Sequence, residues 1–373
     1  MRFLMLNWRD PLSPLAGGAE RVSQAYLAEL VRRGHEVSWY AFEFPGAKPG
    51  DEVAGVKIIR GGGKGTAIVK ARRWYRQQAP FDLVIDQHHG IAWFAPWWCK
   101  TNCVAYIHEV LGPIWNTFYR WPWNTIGRWQ ESWTHRLYSR TPFWVPSDST
   151  KKNLQQHGVR DITVRPNGCD TVPLQELAPK PLAAPLRLIT VSRLAPNKRI
   201  DHVIRAVQLL KERGVASQLT VIGSGEAQAQ LEALAHDLGL SAQITFTGSL
   251  SESAKNEQLQ TVHLLLHTSV REGWGLNVIE ANAMGTPAVV YPVAGLVDST
   301  IHGETGEVVR DQTPEALVEA LQALLANPAR YDAYRRNAWE RSKRFQWNRV
   351  IADTCDWLEQ KARGGGPPAT TAG

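Results

Sequence analysis

Residues 262–287 constrain the fold more than any other stretch of this chain. An apolar run at 262–267 leads through Arg271 Glu272 Gly273 Trp274 Gly275 into Leu276 Asn277 Val278 Ile279 Glu280, and Gly285 Thr286 Pro287 then introduce a second apolar run at 288–291. The pattern reads strand, loop, helix, strand, an α/β alternation. On one continuous helix Glu272 and Glu280 stand about 80° apart around the axis, so they are not a same-face pair. With Glu272 in a glycine-held loop and the helix starting near Leu276, both carboxylates converge on one ligand, and the free amides of the helix start between them attract anions. A sugar nucleotide, with hydroxyls at both ends and phosphate in the middle, fits such a site. A solvated loop Glu and a surface-helix Glu satisfy the same spacing equally well.

At 373 residues the chain is long for one doubly wound domain and suits two, each with its own core. Its 43% hydrophobic and 21% charged content is that of a globular protein. The four cysteines, at 99, 103, 169 and 355, form no C-x-x-C pair and no zinc spacing with histidine, which favours a reducing intracellular compartment. Residues 1–7 are apolar too briefly for a secretory signal, and no run reaches the roughly 18 residues of a spanning helix, so a soluble or peripheral protein is expected. A net charge of +7 and a pI near 9.3 suit a nucleotide sugar, an anionic membrane or nucleic acid. Nucleic acid ranks last, because neither a basic recognition helix nor an aromatic RNA-binding signature is present.

A strand at 2–7 and a Pro-punctuated loop precede Gly17 Gly18 Ala19 Glu20, which opens a helical pattern through Val22, Tyr26, Leu27, Leu30 and Val31. Strand, glycine pair and helix make an anion-binding turn. Further strands are expected at 36–42, 56–59, 81–86, 103–107, 143–146 and 162–165, with helices at 64–78 and 149–157. His88, His89, His108 and Glu109 fall at strand C-terminal ends, where open α/β sheets bind ligands. For His88 and His89 a structural role is the weightier reading. Pro166 Asn167 Gly168 Cys169 Asp170 and the Pro- and Ala-rich residues 171–185 mark a domain boundary. Beyond it, a strand at 186–191 leads into Ser192 Arg193 Leu194 Ala195 Pro196 Asn197 Lys198. Two cations in a strand-to-helix loop can clamp a diphosphate or simply be solvated.

Together these motifs resemble the retaining glycosyltransferases of family four, and the resemblance covers nearly the whole chain. The carrying features are the E-x7-E segment from Glu272 to Glu280, the S-R-L-x-x-x-K segment from Ser192 to Lys198, the P-N-G-x-D hinge, the Gly17 and Gly18 loop and the strand-end His108. The resemblance implies the α/β GT-B architecture of two facing, Rossmann-like, doubly wound parallel-sheet domains, with a C-terminal helix crossing back to the first. The expected divisions are an acceptor-binding domain at 1–168, a nucleotide-sugar domain at 186–344, the returning helix at 345–363 and a disordered tail at 364–373. By the same resemblance Glu272 contacts donor-sugar hydroxyls, Glu280 holds the ribose, and backbone at Trp274, Gly275, Leu276 and Asn277 meets sugar and diphosphate. Arg193 and Lys198 hold the donor phosphates and stabilise the leaving group. His108 touches the donor sugar near the scissile bond, Gly17 and Gly18 face diphosphate and acceptor, and Leu250 lies against the base. The implied reaction moves a sugar from a nucleotide diphosphate donor, of UDP or GDP type, to a hydroxyl with retention, a donor phosphate oxygen helping to take the acceptor proton. No D-x-D occurs, so neither a metal nor another cofactor is expected. A GT-B nucleotide-sugar epimerase, a non-catalytic sugar-nucleotide binder and a transferase acting on a soluble acceptor are the alternatives.

Sixteen tryptophans are many for this length, and nine of them (93, 97, 98, 115, 121, 123, 129, 133 and 144) fall in one segment with Lys100, Arg120, Arg128, Arg136 and Arg140. Trp129, Trp133 and Leu137 recur at helical spacing. Such a segment is either core packing or an aromatic and basic surface for an anionic bilayer. The expectation is a peripheral enzyme at the inner face of the cell membrane, acting on a lipid or lipid-linked glycan in cell-envelope polysaccharide or glycolipid synthesis.

Overall fold

The computed structural model describes residues 1–364. They form two compact units, the first made of residues 1–115, 120–168 and those from 348 onward, the second of residues 116–119 and 169–347. The chain runs β1 (Arg2–Leu6), α1 (Gly18–Arg32), β2 (Glu36–Ala41), β3 (Gly50–Val53), β4 (Val56–Arg60), α2 (Ala67–Tyr75), β5 (Leu83–Gln87), β6 (Asn102–Tyr106), α3 (Ile114–Phe118), α4 (Trp123–Leu137), β7 (Phe143–Val145), α5 (Asp148–Gln156) and β8 (Ile162–Val164). Its strands make one sheet of order β3-β4-β2-β1-β5-β6-β7-β8. Phe3, Leu4, Met5, Leu6, Leu83, Val84 and Ile85 are all fully buried. Runs that do not alternate with polar residues belong to parallel strands covered on both faces, and β1, β2, β5 and β6 pair in parallel.

The edge strand β3 escapes the sequence reading because Gly50 Asp51 Glu52 Val53 looks like a polar turn. It pairs antiparallel with β4 through a tight turn in which Ala54 and Gly55 both take positive φ, 51° and 77°. Arg60 at the end of β4 donates to both carboxylate oxygens of Asp10 at 2.6 and 2.9 Å and also pairs with Asp51. This buried, fully partnered network fixes the hairpin's register.

The second unit continues with β9 (Leu186–Val191), α6 (Ile200–Glu212), β10 (Ser217–Ile222), α7 (Gln228–Asp237), β11 (Ile244–Gly248), α8 (Glu252–Thr261), β12 (Leu264–His267), α9 (Leu276–Ala283), β13 (Ala288–Val290), α10 (Leu296–Ser299), β14 (Gly306–Val308), α11 (Pro314–Leu325) and α12 (Pro328–Ser342). Its strands form a parallel sheet of order β11-β10-β9-β12-β13-β14. From β9 the chain moves outward to β10 and β11, then returns to β12 on the other side of β9. The reversal makes a crevice at the strand C-termini, where ligands bind in open α/β sheets.

The Pro- and Ala-rich residues 171–185 are not a free linker. Leu182 is buried in the second unit's core, Leu174 packs against that core, and the Leu174 amide donates to Ala283 O at 3.0 Å. The last helix, α13 (Trp347–Arg363), belongs to the first unit from Asn348 onward. Cys355 and Leu358 are fully buried, and Arg33 pairs with Asp356 at 2.6 Å and Glu359 at 3.0 Å. Apart from Gly364, the tail expected at 364–373 lies outside the described residues.

Candidate functional site

In the second unit, the loops after β9 and β12 are stitched together at the crevice. The Val270 amide donates to Asn197 O at 2.8 Å, and Thr268 Oγ1 donates to Lys198 O at 2.9 Å. Glu272 sits in the second loop and its amide donates to Ala294 O at 3.1 Å. That approach requires glycine at position 295, where a Cβ atom would stand 2.2 Å from Glu272 O. Glu272 Oε1 accepts from Ser269 Oγ at 2.6 Å, forms an ion pair with Lys198, and lies 3.5 Å from His267 Nε2. Burial pushes this carboxyl up, but Lys198 and His267 more than offset it and hold it below its ordinary value. Burial, with Lys198 nearby, pulls His267 down to about 4, so its imidazole is neutral at pH 7. The result is a charged carboxylate held in one orientation by Ser269 and Lys198, with the neutral His267 ring beside it.

Glu280 faces a different partner. Its Oε2 accepts from Lys255 Nζ at 2.9 Å, and Lys255 also reaches Glu252 at 2.7 Å. Lys255 is a residue the sequence reading misses, because α8 carries it into contact across 25 positions and nothing local marks it. The helix of Glu280 starts at Leu276, as the glycine-held loop predicts, and the amides of Leu276 and Asn277 lack intrahelical acceptors. Asn277 Nδ2 donates to Val191 O at 2.6 Å, tying that helix start to β9. The Trp274 side chain is buried with Cys169, Ile279 and Phe345, which leaves its backbone as the part beside the crevice loop.

The two expected clamp cations are not brought to one partner. Lys198 is committed to Glu272, whereas Arg193 is exposed, with Glu226 4.0 Å away. Leu250 follows β11 and packs on the core edge, and the adjacent Ser249 lies 3.0 Å from Ser224 through their hydroxyls.

In the first unit the β1–α1 turn starts the helix at Gly18, and Glu20 reaches back to accept from the Gly17 amide at 2.7 Å. His108 follows β6. Gln87 Nε2 donates to His108 Nε2 at 3.0 Å, and Gln87 Oε1 accepts from Ser23 Oγ of α1 at 2.8 Å. Burial lowers His108 to about 3, which makes it a neutral ring whose Nε2 accepts and whose Nδ1 carries the proton. Three elements thus fix the ring's orientation. His88 is buried 3.4 Å from Asp86, whose carboxylate also accepts from Tyr138 Oη at 2.6 Å; it is a packing residue, whereas His89 is exposed.

The tryptophan segment divides in two. Trp93 and Trp144 are fully buried. On α4, Trp123, Ile126, Trp129, Trp133 and Leu137 form an exposed stripe at spacings of three and four, flanked by exposed Arg128 and Arg136. The opposite face is locked. Glu131 accepts from the amides of Leu111 at 2.6 Å and Gly112 at 2.9 Å and from Trp115 Nε1 at 3.2 Å, and a Cβ atom at Gly127 would stand 2.3 Å from the Trp115 ring. No helix among the described residues is long and apolar enough to cross a membrane.

Comparison with known proteins fits this geometry. Residues 179–341 match the family model of glycosyl transferases group 1, and residues 16–172 match that of glycosyltransferase family 4. A D-inositol 3-phosphate glycosyltransferase of Rhodococcus opacus is 35% identical over 164 residues, 42% of this chain and 37% of that protein. The chain thus aligns with well under half of that relative's length. A GDP-mannose-dependent alpha-(1-6)-phosphatidylinositol monomannoside mannosyltransferase of Mycolicibacterium smegmatis is 26% identical and aligns over 87% of this chain and 90% of its own length. Among solved structures, sucrose-phosphate synthase from Thermosynechococcus elongatus superposes with a TM-score of 0.80 at 19% identity, covering 98% of this chain and all of the other. WaaG, a glycosyltransferase involved in lipopolysaccharide biosynthesis, superposes at 0.70 with 18% identity, covering 97% and 100%. With two parallel-sheet α/β units carrying these motifs, the chain belongs to the group 1 glycosyltransferases of GT-B architecture.

Proposed function

We propose that the protein is a retaining, metal-independent glycosyltransferase that moves a sugar from a nucleotide diphosphate donor to a hydroxyl of a lipid or lipid-linked glycan at an anionic membrane surface. On this reading Glu272, oriented by Ser269 and Lys198 beside His267, binds donor-sugar hydroxyls. Glu280 binds the ribose, and Lys255 joins Arg193 and Lys198 in offsetting charge on the departing diphosphate. The amides of Leu276 and Asn277 add the helix start to that positive field. Neutral His108, with its proton on Nδ1, offers a hydrogen bond to the donor sugar.

The observation that carries the acceptor class is the α4 stripe. Trp121 just before α4 and Trp123, Trp129 and Trp133 on it are 80%, 65%, 68% and 46% exposed, a concentration of bare indole that water disfavours and a headgroup interface accommodates. Arginines beside it match anionic lipid. The mannosyltransferase relative names a phosphatidylinositol acceptor, which agrees with this class.

Flotation with anionic liposomes tests the reading. Wild type floats in a salt-sensitive way, and joint replacement of Trp121, Trp123 and Arg120 weakens flotation while circular dichroism stays unchanged. Efficient transfer to a soluble acceptor by a protein that ignores anionic and acceptor-bearing liposomes would overturn it. Labelled donors incubated with membrane extract then separate lipid glycosylation from donor epimerisation.

A further inference from the structure

The Glu272 loop has little stiffness of its own. Gly273 and Gly275 interrupt it, and Gly275 takes a positive φ of 75° where α9 starts. Its place is set from outside, by two side chains four positions apart where α12 ends, Arg341 and Phe345. The Arg341 guanidinium donates to Ser299 O at 2.7 Å and to Asp298 O at 2.8 Å, which caps the carbonyl end of the short helix α10. Helix α10 in turn leans on the loop at two points. A Cβ atom at Gly295 would stand 2.2 Å from Glu272 O, and one at Gly275 would stand 2.8 Å from Ser299 Oγ and 3.1 Å from Leu296 Cδ2.

Phe345 reaches the same loop by a second route. Its ring lies 4.9 Å from the Arg341 guanidinium and meets the Trp274 indole edge-on, 5.1 Å away at 64°. Cys169 and Ile279 complete that buried cluster. Phe345 is itself fixed, because its carbonyl accepts from the Cys169 amide at 2.8 Å and the next residue, Gln346, donates through Nε2 to Thr171 O at 3.0 Å. Trp347 Nε1 donates to Asp170 Oδ1 at 2.8 Å. The main segment of this unit begins at Cys169 and ends at Trp347, so its two ends are sewn together at the residues that hold Phe345.

Ordinary packing at a helix end is the plain alternative, and it does not account for where the contacts fall. Both routes from α12 arrive either on residues 272–275 or on the helix that touches them. Trp274 Nε1 is buried without a hydrogen-bond partner among the described residues, a cost that an apolar side chain in the same place would not carry. We propose that Arg341 and Phe345 are positioning residues for Glu272, acting through the loop and not on the substrate, so that the carboxylate meets the donor sugar in one place. The assignment rests on the role given to Glu272 above. A misplacement of about 1 Å at a reacting centre costs roughly 10²-fold in rate. Removing one of two routes leaves the other in place, so a loss of about tenfold is expected from each.

Turnover of labelled UDP-glucose and GDP-mannose with membrane extract, measured in a double-mutant cycle on the full chain, tests the assignment. Arg341→Met and Phe345→Leu should each lower kcat about tenfold, while donor KM and the calorimetric affinity for bare nucleoside diphosphate stay within about twofold. Arg341→Lys keeps the charge and one hydrogen bond, so it should recover part of the loss. In a Glu272→Gln background the same substitutions should cost less than about twofold more, because the group they position is already disabled. An equal loss in both backgrounds assigns the two residues to the fold at large and overturns the proposal. So does a fall in nucleoside diphosphate affinity that matches the fall in kcat, or turnover within about twofold of wild type in both single variants. Phe345 is 9% exposed and Arg341 is half-buried, so Arg341→Met keeps the test open if Phe345→Leu fails to fold. Wild type that turns over neither donor sinks the transferase reading and this assignment with it, whereas each of the other adverse results sinks the assignment alone.

Discussion

The Glu272 loop and helix α4 break the same rule in opposite directions. In the loop a carboxylate and an ammonium, 18% and 20% exposed, are withdrawn from water and paired with each other, with Ser269 donating to the carboxylate and His267 beside it. On α4, apolar rings that could have been covered are left in water. Folding alone rewards neither arrangement, since isolated charge is costly inside and contiguous indole is costly outside. In both places the compensating local structure is specific: Gly295 lets the loop close on Glu272, and Gly127 with Glu131 locks the covered face of α4 so that the tryptophans are fixed outward. The loop presents oriented charge that a polar ligand can share, and the helix presents indole that an apolar phase can cover.

The largest expected effect comes from breaking the loop. Glu272→Gln keeps the shape and a hydrogen bond to Ser269 but removes the charge that organises Lys198. On the proposed reading turnover falls by roughly 10²–10³, the scale of losing one group aimed at the reacting centre. Lys198→Met goes further, leaving Glu272 without its cation, so its carboxyl rises and the melting temperature falls as well. Nucleoside diphosphate affinity, measured by calorimetry, should weaken in Lys198→Met and hold in Glu272→Gln. Turnover of Glu272→Gln within twofold of wild type would remove the carboxylate from the reaction. Replacing Trp129 by Ala should by contrast leave the melting curve almost unmoved, because exposed substitutions shift stability by about 0.5 kcal/mol or less.

Acid separates the two regions in a second way. His267 and His263 are held by burial at about 4, against an ordinary value of 6.5, so the folded protein declines protons that the unfolded chain accepts between those values. Stability is therefore fully present above about pH 6.5 and is lost as pH falls towards 4. Each imidazole removes up to about 3 kcal/mol by the lower limit. Glu272 acts in the same sense at lower pH, because its folded value is depressed and its contribution disappears once it protonates. Urea midpoints followed from neutral to acid pH should show this slope, flattened in His263→Asn. The apolar stripe of α4 carries no group that titrates in this window, so liposome binding by the folded protein should not follow the same curve. A midpoint independent of pH across the window would mean that these imidazoles are not buried as neutral rings.

Much of this is legible in the sequence, and the exceptions share a cause. Buried parallel strands such as β1 and β5 announce themselves as unbroken apolar runs, and the strand-to-helix loops after β9 and β12 locate the crevice, whereas Arg193, Lys198, Glu272 and Glu280 are singled out by the family resemblance of their motifs, since spacing alone fits solvated side chains equally well. What those side chains touch is not legible there. Lys255 reaches Glu280 through tertiary packing of α8 on α9, and the commitment of Lys198 to Glu272 joins loops 74 positions apart. Likewise, helical periodicity shows that Trp129, Trp133 and Leu137 share a face but not whether anything covers it. The hint is on the other face: Gly127 is a poor surface helix residue that admits close packing, and it proves to lie on the covered side with the buried Glu131. The β3 hairpin is hidden because its strand is polar and its turn depends on positive φ at an alanine.

The smallest expected effect is also the sharpest probe of how α4 meets a surface. Arg128 is exposed beside the apolar stripe and has no role in locking the covered face, which depends on Glu131 and Gly127. One basic side chain near an anionic bilayer is worth about 1 kcal/mol. Arg128→Gln should therefore lower partitioning onto anionic liposomes by a factor of about 5 at low salt. At high salt the gap between variant and wild type should close, because the Debye length shrinks to about 3 Å near 1 M and the headgroup charge no longer reaches the guanidinium. On neutral liposomes the variant and wild type should bind alike, since indole insertion is untouched. The pattern distinguishes two kinds of contact. A deficit on anionic lipid that salt erases assigns Arg128 to headgroup charge while the tryptophans supply the salt-resistant remainder. Equal flotation of variant and wild type on anionic lipid at low salt would instead place the arginines outside the contact and leave the aromatic stripe to bind by itself.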